Sequence, residues 1–324
     1  MEQANHTMSN RFFLLGLSTD PHLRVIFFII FLIMYVIAIS GNLLMTIVVR
    51  VNPSLHSPMY FFLTNLSMID ISLSSSVVPV ILMNTLTNDR SISFSGCVTQ
   101  IYISFGSGAT ECIVLAVMAY DRYVAICRPL HYSVIMNKKL CYYLSAGAWS
   151  SGFFTSLLLV NLTFRLSFCR SHYINHYFCE IPPIIRIACD DTFAEELAIY
   201  ITGTFGILCT FLLTVISYVH VISSILKIRT SKGRQKTFST CASHLIVVTL
   251  YFGTITFMYL RPHSKSQSHY SNETDKVVSI LYSTVTPMLN PLIYSKTWAH
   301  IYLPLPRSSK KVHFPTSMHC AAIH

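Results

Sequence analysis

Charge is what this 324-residue chain has least of: Asp, Glu, Lys and Arg make up 11% of it, against about 25% in soluble proteins. With 52% hydrophobic residues and a mean hydropathy of +0.54, too few charges remain to cover a water-facing globule, which excludes a soluble enzyme. Amphipathic spacing is missing as well, because the apolar residues fall in blocks rather than at helical or strand intervals. Ten-residue alternating segments are absent, which excludes a transmembrane barrel. The net charge is +10, yet no single folded face collects the basic residues. They lie only between apolar blocks, so no nucleic-acid partner is expected. The first 24 residues lack a basic stretch followed by an apolar core, so no cleavable signal peptide is read there and the first span is expected to insert the chain.

What the chain does have is seven apolar blocks, near 25–49, 58–80, 98–120, 140–161, 197–226, 238–260 and 277–295. Each meets the length of about 20 residues that crosses the hydrocarbon core. Lipid offers no partner for a backbone amide, so each block must close its own hydrogen bonds as a helix. The expected fold is an all-α membrane protein, a seven-transmembrane helix bundle over residues 25–295, with an N-terminal segment 1–24 and a tail 296–324.

The distribution of cations orients the bundle. Segments 49–58, 121–140, 226–237 and 295–324 together hold 14 Lys or Arg against one acid, Asp121, while the opposite side holds 9 Lys or Arg and 10 Asp or Glu. The basic side is read as cytoplasmic, which leaves the N-terminus extracellular. Four of ten cysteines then fall outside, Cys97, Cys169, Cys179 and Cys189. An even set on the oxidising face invites two disulfides, in any of three connectivities that spacing does not choose between. The sequons at Asn5 and Asn272 lie on the same face as candidate glycosylation sites, whereas those at Asn65 and Asn161 lie in or against lipid and read as chance.

Two acids, Asp70 and Glu111, lie inside spans. Ionisable groups there are costly and are functional candidates by default. With no basic residue nearby in sequence, the pair is expected to share a cation or a proton, with Asn42 and Asn290 as further polar partners. Span 3 ends in Met118-Ala119-Tyr120-Asp121-Arg122-Tyr123-Val124-Ala125-Ile126-Cys127, and span 7 in Pro287-Met288-Leu289-Asn290-Pro291-Leu292-Ile293-Tyr294. An Asp–Arg neighbour pair can hold the arginine until a neighbouring helix moves. Pro291 removes a backbone hydrogen bond and frees a carbonyl beside a polar Asn. Span 1 adds Gly41-Asn42.

Seven spans, an external Cys at the head of span 3, Asp-Arg-Tyr at its foot and Asn-Pro-x-x-Tyr in span 7 together resemble a rhodopsin-like G-protein-coupled receptor. Leu55-His56-Ser57-Pro58-Met59-Tyr60-Phe61-Phe62-Leu63, the span-3 string above, Ser217-Tyr218 and Lys236-Thr237-Phe238-Ser239-Thr240-Cys241-Ala242-Ser243-His244 narrow the resemblance to the olfactory (odorant) receptors of the class II type. It covers roughly residues 10–295 and implies disulfides Cys97–Cys179 and Cys169–Cys189. It further implies an activation switch of Asp121, Arg122, Tyr218, Asn290, Pro291 and Tyr294, and a heterotrimeric G protein of the stimulatory, olfactory type that raises cyclic AMP. A plasma-membrane, multi-pass receptor follows, with no cofactor.

Receptors of the broader class that bind amines carry an Asp where this chain has Ser104, and a retinal-binding Lys would fall at Thr284. The family's usual pocket matches Ser104, Phe105, Gly108, Ala109, Thr202, Gly203, Gly206, Phe252, Ile255 and Tyr259. These residues suit a small, mostly neutral volatile ligand. Two departures stand out. The usual Phe-Tyr-Gly of span 6 is Tyr251-Phe252-Gly253, which puts Phe252, without a hydroxyl, at the expected pocket floor. After Tyr294-Ser295 the family's amphipathic segment is replaced by Lys296-Thr297-Trp298-Ala299-His300, followed by Pro304, Pro306 and Pro315. Lys310 and Lys311 can still attract anionic membrane lipid.

Two other readings stay open. A cation-linked transporter would use Asp70 and Glu111 but predicts internal repeats, and the two halves show no similarity. A receptor-like protein that does not signal would follow from the altered tail. His176, Cys179 and Glu180 have ligand-like spacing, but a disulfide at Cys179 would remove its sulfur, so no metal is expected.

Overall fold

A computed structural model describes residues 11–302, apart from residues 19, 88, 169–171, 229 and 260–268. Helix α1 runs over Pro21–Val51, α2 over Pro58–Leu86, α3 over Phe94–Cys127, α4 over Lys138–Thr163, α5 over Phe193–Leu226 and α6 over Ser231–Tyr259. The last, α7, is composite: α-helix His269–Ile280, a π-helical turn Leu281–Val285, then α-helix Thr286–Tyr302. Six of these seven are long and apolar enough to cross a membrane, and α6 carries a shorter apolar stretch, Cys241–Phe257. The chain is a seven-helix bundle.

The helices run past their apolar blocks because polar caps, not lipid, set their ends. Asp20 accepts from the His22 amide at 2.8 Å, with Pro21 in the first turn of α1. Ser93 accepts from the Gly96 amide at 3.1 Å and Asn137 from the Leu140 amide at 2.9 Å, starting α3 and α4. Each bond satisfies an amide that the helix leaves open. Apolar side chains such as Leu44, Phe205 and Ile222 remain exposed on the outside of the bundle. With lipid around them, burial there gives no hydrophobic drive, so helix contacts rest on close packing and polar links.

Glycines set the tightest contacts. A methyl group on Gly152 of α4 would lie 2.8 Å from the Thr110 amide nitrogen and 3.0 Å from the Gly106 carbonyl of α3. One on Gly41 of α1 would lie 3.0 Å from both Cβ and Cγ of Pro291 in α7. The same junction answers the proline's missing donor. Residue 291 cannot bond the carbonyl four residues back, and Asn42 Nδ2 donates to that Pro287 carbonyl at 3.0 Å instead.

On the outer face, β1 (Arg11–Leu14) pairs antiparallel with β2 (Ser91–Ser93) and parallel with β3 (Tyr173–Ile174), with Phe12 opposite Ile92 and Phe13 opposite Tyr173. Residues 11–14 are therefore fastened across two outer loops. At the other end, α7 runs on from Tyr294 to Tyr302. The tail prolines at 304, 306 and 315 lie outside the described residues.

Candidate ligand-binding site

The roof of the site is the loop between α4 and α5. Cys179 is bonded to Cys97 at the start of α3, with the two Cα atoms 5.5 Å apart. The Cys179 amide donates to Gln100 Oε1 at 2.8 Å, and the Gln100 amide donates to the Ser76 carbonyl at 2.8 Å, so the loop is tied to both α3 and α2. Tyr177, Phe178, Ile181 and Ile184 are buried beneath it. Cys189 is disulfide-bonded too. Its expected partner Cys169, like Asn5, lies outside the described residues.

Under this roof lies a cavity of about 220 Å³. Ser104, Phe105, Gly108 and Ala109 of α3, Thr202, Gly203 and Gly206 of α5, and Ile255 of α6 all line it. Phe252 is a correction. It is buried against Phe211 of α5, ring centroids 5.7 Å apart, and Tyr251 lines the cavity in its place. Successive helix positions point about 100° apart, so only one of two adjacent aromatics can face the ligand space. The expected floor thus keeps a hydroxyl, and Tyr251 donates it to the Gly108 carbonyl of α3. The Tyr259 side chain lies outside what is described.

Other hydroxyls in the wall are bonded within their own helices: Ser104 donates to the Ile101 carbonyl at 3.4 Å and Thr202 to that of Ala198 at 2.7 Å. The outer part of the wall adds groups the resemblance does not supply: Phe178, Glu180 and Ile181 of the loop, with Tyr282 and Ser283 of the π-helical turn. Tyr282 donates to Glu180 Oε1 at 2.5 Å and Ser279 to Oε2 at 3.1 Å. Burial pushes the Glu180 carboxyl up to about 7 against the pull of those two hydroxyls. His176 Nε2 stands 3.6 Å from Glu180 Oε2. That distance does not make an ion pair near neutral pH, because burial and the positive charges of Lys276 and Arg186 hold the His176 ring down to about 3. Nor is Cys179 free to join these two as a metal ligand, since its sulfur is in the disulfide.

Deeper in the bundle, Asp70 is fully buried and accepts from Asn290 Nδ2 on both oxygens, at 3.1 and 3.0 Å. Glu111 is its electrostatic neighbour. Both Glu111 oxygens are buried without a hydrogen-bond partner among the described residues. Asn42 does not join them, because its amide is held by the Ala38 and Pro287 carbonyls.

At the cytoplasmic end Asp121 and Arg122 form an ion pair, and the second Asp121 oxygen accepts from Tyr132 at 2.8 Å. The Tyr218 hydroxyl bonds His244 Nδ1 at 2.5 Å, and the Tyr294 hydroxyl is buried with no hydrogen-bond partner among the described residues. Tyr132 and His244 escaped the sequence reading as site residues. For His244 the one available signal is position, seven residues before Tyr251 on the same helix face; Tyr132 has none.

The family model described as "Olfactory receptor" matches residues 31–307, a span that contains the roof, the cavity and both polar clusters. Olfactory receptor 5AP2 of Mus musculus is 48% identical, the alignment covering 91% of this chain and 92% of the relative. Olfactory receptor 5AR1 of Mus musculus is 46% identical over 91% of this chain and 94% of its own. Olfactory receptor 2C3 of Homo sapiens is 46% identical over 91% of each. The chain belongs to the olfactory receptor family, as a multi-pass protein of the plasma membrane and not an enzyme.

Proposed function

We propose that the cavity binds a small, mostly neutral volatile odorant and that its occupation activates a heterotrimeric G protein of the stimulatory, olfactory type, raising cyclic AMP. At about 220 Å³ the space falls below the roughly 300–1,000 Å³ typical of small-molecule pockets, which restricts the occupant to a small molecule.

The observation that carries the reading is the position of α6. Tyr251 and Ile255 line the cavity, and His244, about two turns below, is bonded to Tyr218 of α5. An odorant that favours a different pose of Tyr251 therefore also acts on the His244–Tyr218 contact. Outward movement of α6 releases Arg122 from Asp121 toward Tyr218 and Tyr294, with Pro291 and Asn290 giving α7 a compliant point. Asp70 and Glu111 share one cation or proton in the resting bundle, with Asn290 as the polar partner. The ligand shifts the equilibrium only by its differential affinity for the two states.

The test is an odorant panel on cells expressing the full chain, with surface staining and a cyclic-AMP readout. A dose-dependent response that Arg122→Ala abolishes at equal surface amount is expected. Full signalling by that variant, or a silent receptor at normal surface density across the panel, refutes the coupling reading.

A further inference from the structure

We propose that Glu180 is the polar anchor of the cavity and selects volatile amines, with carboxylic acids rejected. The inference rests on the odorant reading of the cavity and names the ligand class.

Among the described residues that line the space, Glu180 is the only Asp, Glu, Lys, Arg or His. It comes from the disulfide-tied roof, not from a helix, which is why the neutral Ser104 at the helix position says nothing about it. Tyr282 and Ser279 each donate to one of its oxygens. An ionised carboxylate has about four acceptor sites, so capacity for a ligand N–H remains while the two hydroxyls fix the group in place. The neighbouring cations are engaged by other acids: Arg186 Nη2 with Asp275 Oδ2 at 3.4 Å, and Lys276 Nζ with Glu273 Oε1 at 3.0 Å. His176 faces Glu180 but stays neutral. The rest of the wall is mostly apolar, with Ile101, Phe105 and Ile255 among its residues, and the Ser104, Thr202 and Tyr251 hydroxyls there already donate to backbone carbonyls, so it fits a hydrocarbon body.

The protonation balances without importing charge. A volatile amine in its neutral form that meets the protonated carboxyl takes its proton: the Glu180 O–H bond breaks, an N–H bond forms, and an ammonium–carboxylate pair results. An ammonium arriving from water instead displaces that proton to solvent. Burial already brings the carboxyl up to about 7, so both routes operate near neutral pH. A carboxylate ligand would place like charges together where screening is weak.

The test uses three probes of one shape, cyclohexylamine, cyclohexanol and cyclohexanecarboxylate, on the purified full chain in lipid nanodiscs. Thermal stabilisation is read against concentration, which does not depend on coupling. Wild type should prefer the amine over the alcohol and ignore the acid. In Glu180→Gln the amine-to-alcohol preference should fall about tenfold or more, the scale of one charge-assisted hydrogen bond. Glu180→Asp keeps the charge one methylene shorter and should retain part of the preference, which also covers a failure of the Gln variant to fold. An unchanged amine-to-alcohol preference in folded Glu180→Gln, or an undiminished one in Glu180→Asp where the Gln variant does not fold, or stabilisation of wild type by the carboxylate, overturns the assignment. If neutral volatiles bind but the amine does not depend on Glu180, the anchor alone fails. If no volatile in a broad panel binds, the odorant reading fails and the anchor with it.

Discussion

Tyr251→Phe removes a single oxygen atom at the point where α6 meets α3 across the cavity wall. The phenol donates to the Gly108 carbonyl. That carbonyl sits inside α3, where the amide one turn on can also donate to it, so losing the phenol leaves no orphaned acceptor. The ring remains, and no cavity larger than a hydroxyl is opened. The cost is the net worth of one neutral hydrogen bond, about 0.5–1.5 kcal/mol. If the bond belongs to the resting arrangement alone, all of that cost falls on the resting state, and the resting-to-active ratio shifts about 2- to 13-fold. Basal cyclic AMP per surface receptor should rise by that factor, short of saturation, and odorant sensitivity should rise with it. The double exchange Tyr251→Phe with Phe252→Tyr moves the hydroxyl about 100° round the helix, away from Gly108, and should raise basal signalling too. Basal output at the wild-type level in both variants, at equal surface density, would show that the bond survives activation and would sink the argument.

Three further outcomes follow from the same structure. Cys97→Ser opens a loop with a sequence separation of 82, worth about 4.5 kcal/mol of unfolded-chain entropy; surface staining should be largely lost, and normal delivery counts against a structural role for the bond. Gly41→Ala puts a methyl group 3.0 Å from a proline ring that cannot rotate away, so overpacking of about 1–3 kcal/mol should lower the melting temperature by about 2–12 °C, and an unchanged melting point would contradict the close approach of α1 and α7. For pH, the His176 ring is held down from 6.5 to about 3, so its contribution is fully present above 6.5 and is lost as pH falls toward 3. Glu180 is pushed up from 4.5 to about 7, so its contribution is present below 4.5 and lost as pH rises through 7. Between 4.5 and 6.5 the two slopes oppose each other. Glu180→Gln should therefore make stability fall with acidification there, and His176→Gln should make it rise, each by at most about 1.4 kcal/mol per pH unit; thermal melts of the purified variants with the same sign of slope would refute this.

Length and hydropathy made the seven helices legible, because a run of about 20 apolar residues has few other uses. The cytoplasmic motifs were legible as strings, and the pocket positions on α3 and α5 came through family resemblance. What escaped has physical reasons. Strands of four, three and two residues are too short for a period of two to register. The turn at Leu281–Val285 changes hydrogen-bond spacing without changing composition, so hydropathy does not see it, yet it places Tyr282 against Glu180. The exchange at Tyr251 and Phe252 was visible, but which ring faces inward depends on helix rotation. Pro291 announced a freed carbonyl at Pro287, while its donor, Asn42, lies 245 residues away. In the sequence Glu180 stands out only by its spacing from His176 and Cys179. Its place in the cavity wall depends on how the roof folds back under its disulfide.

The sizes of these contacts also bear on how so small a ligand could drive a receptor. Coupling between sites typically amounts to about 1–3 kcal/mol, and a molecule held in about 220 Å³ has apolar contact and at most one polar anchor to offer. A resting state locked by several buried ion pairs would be beyond its reach, because breaking one such pair costs about 3–5 kcal/mol. Along α6 the contacts are of another kind: the Tyr251 hydroxyl on a backbone carbonyl, and the Tyr218 hydroxyl on His244. Each is a single hydrogen bond worth about 1 kcal/mol net, and the two lie about two turns apart on one helix. Their sum matches the free energy that a difference in odorant affinity between two states can supply. In the proposed activation the Asp121–Arg122 pair need not be broken by the ligand directly, since it exchanges partners with Tyr218 and Tyr294 once α6 has moved.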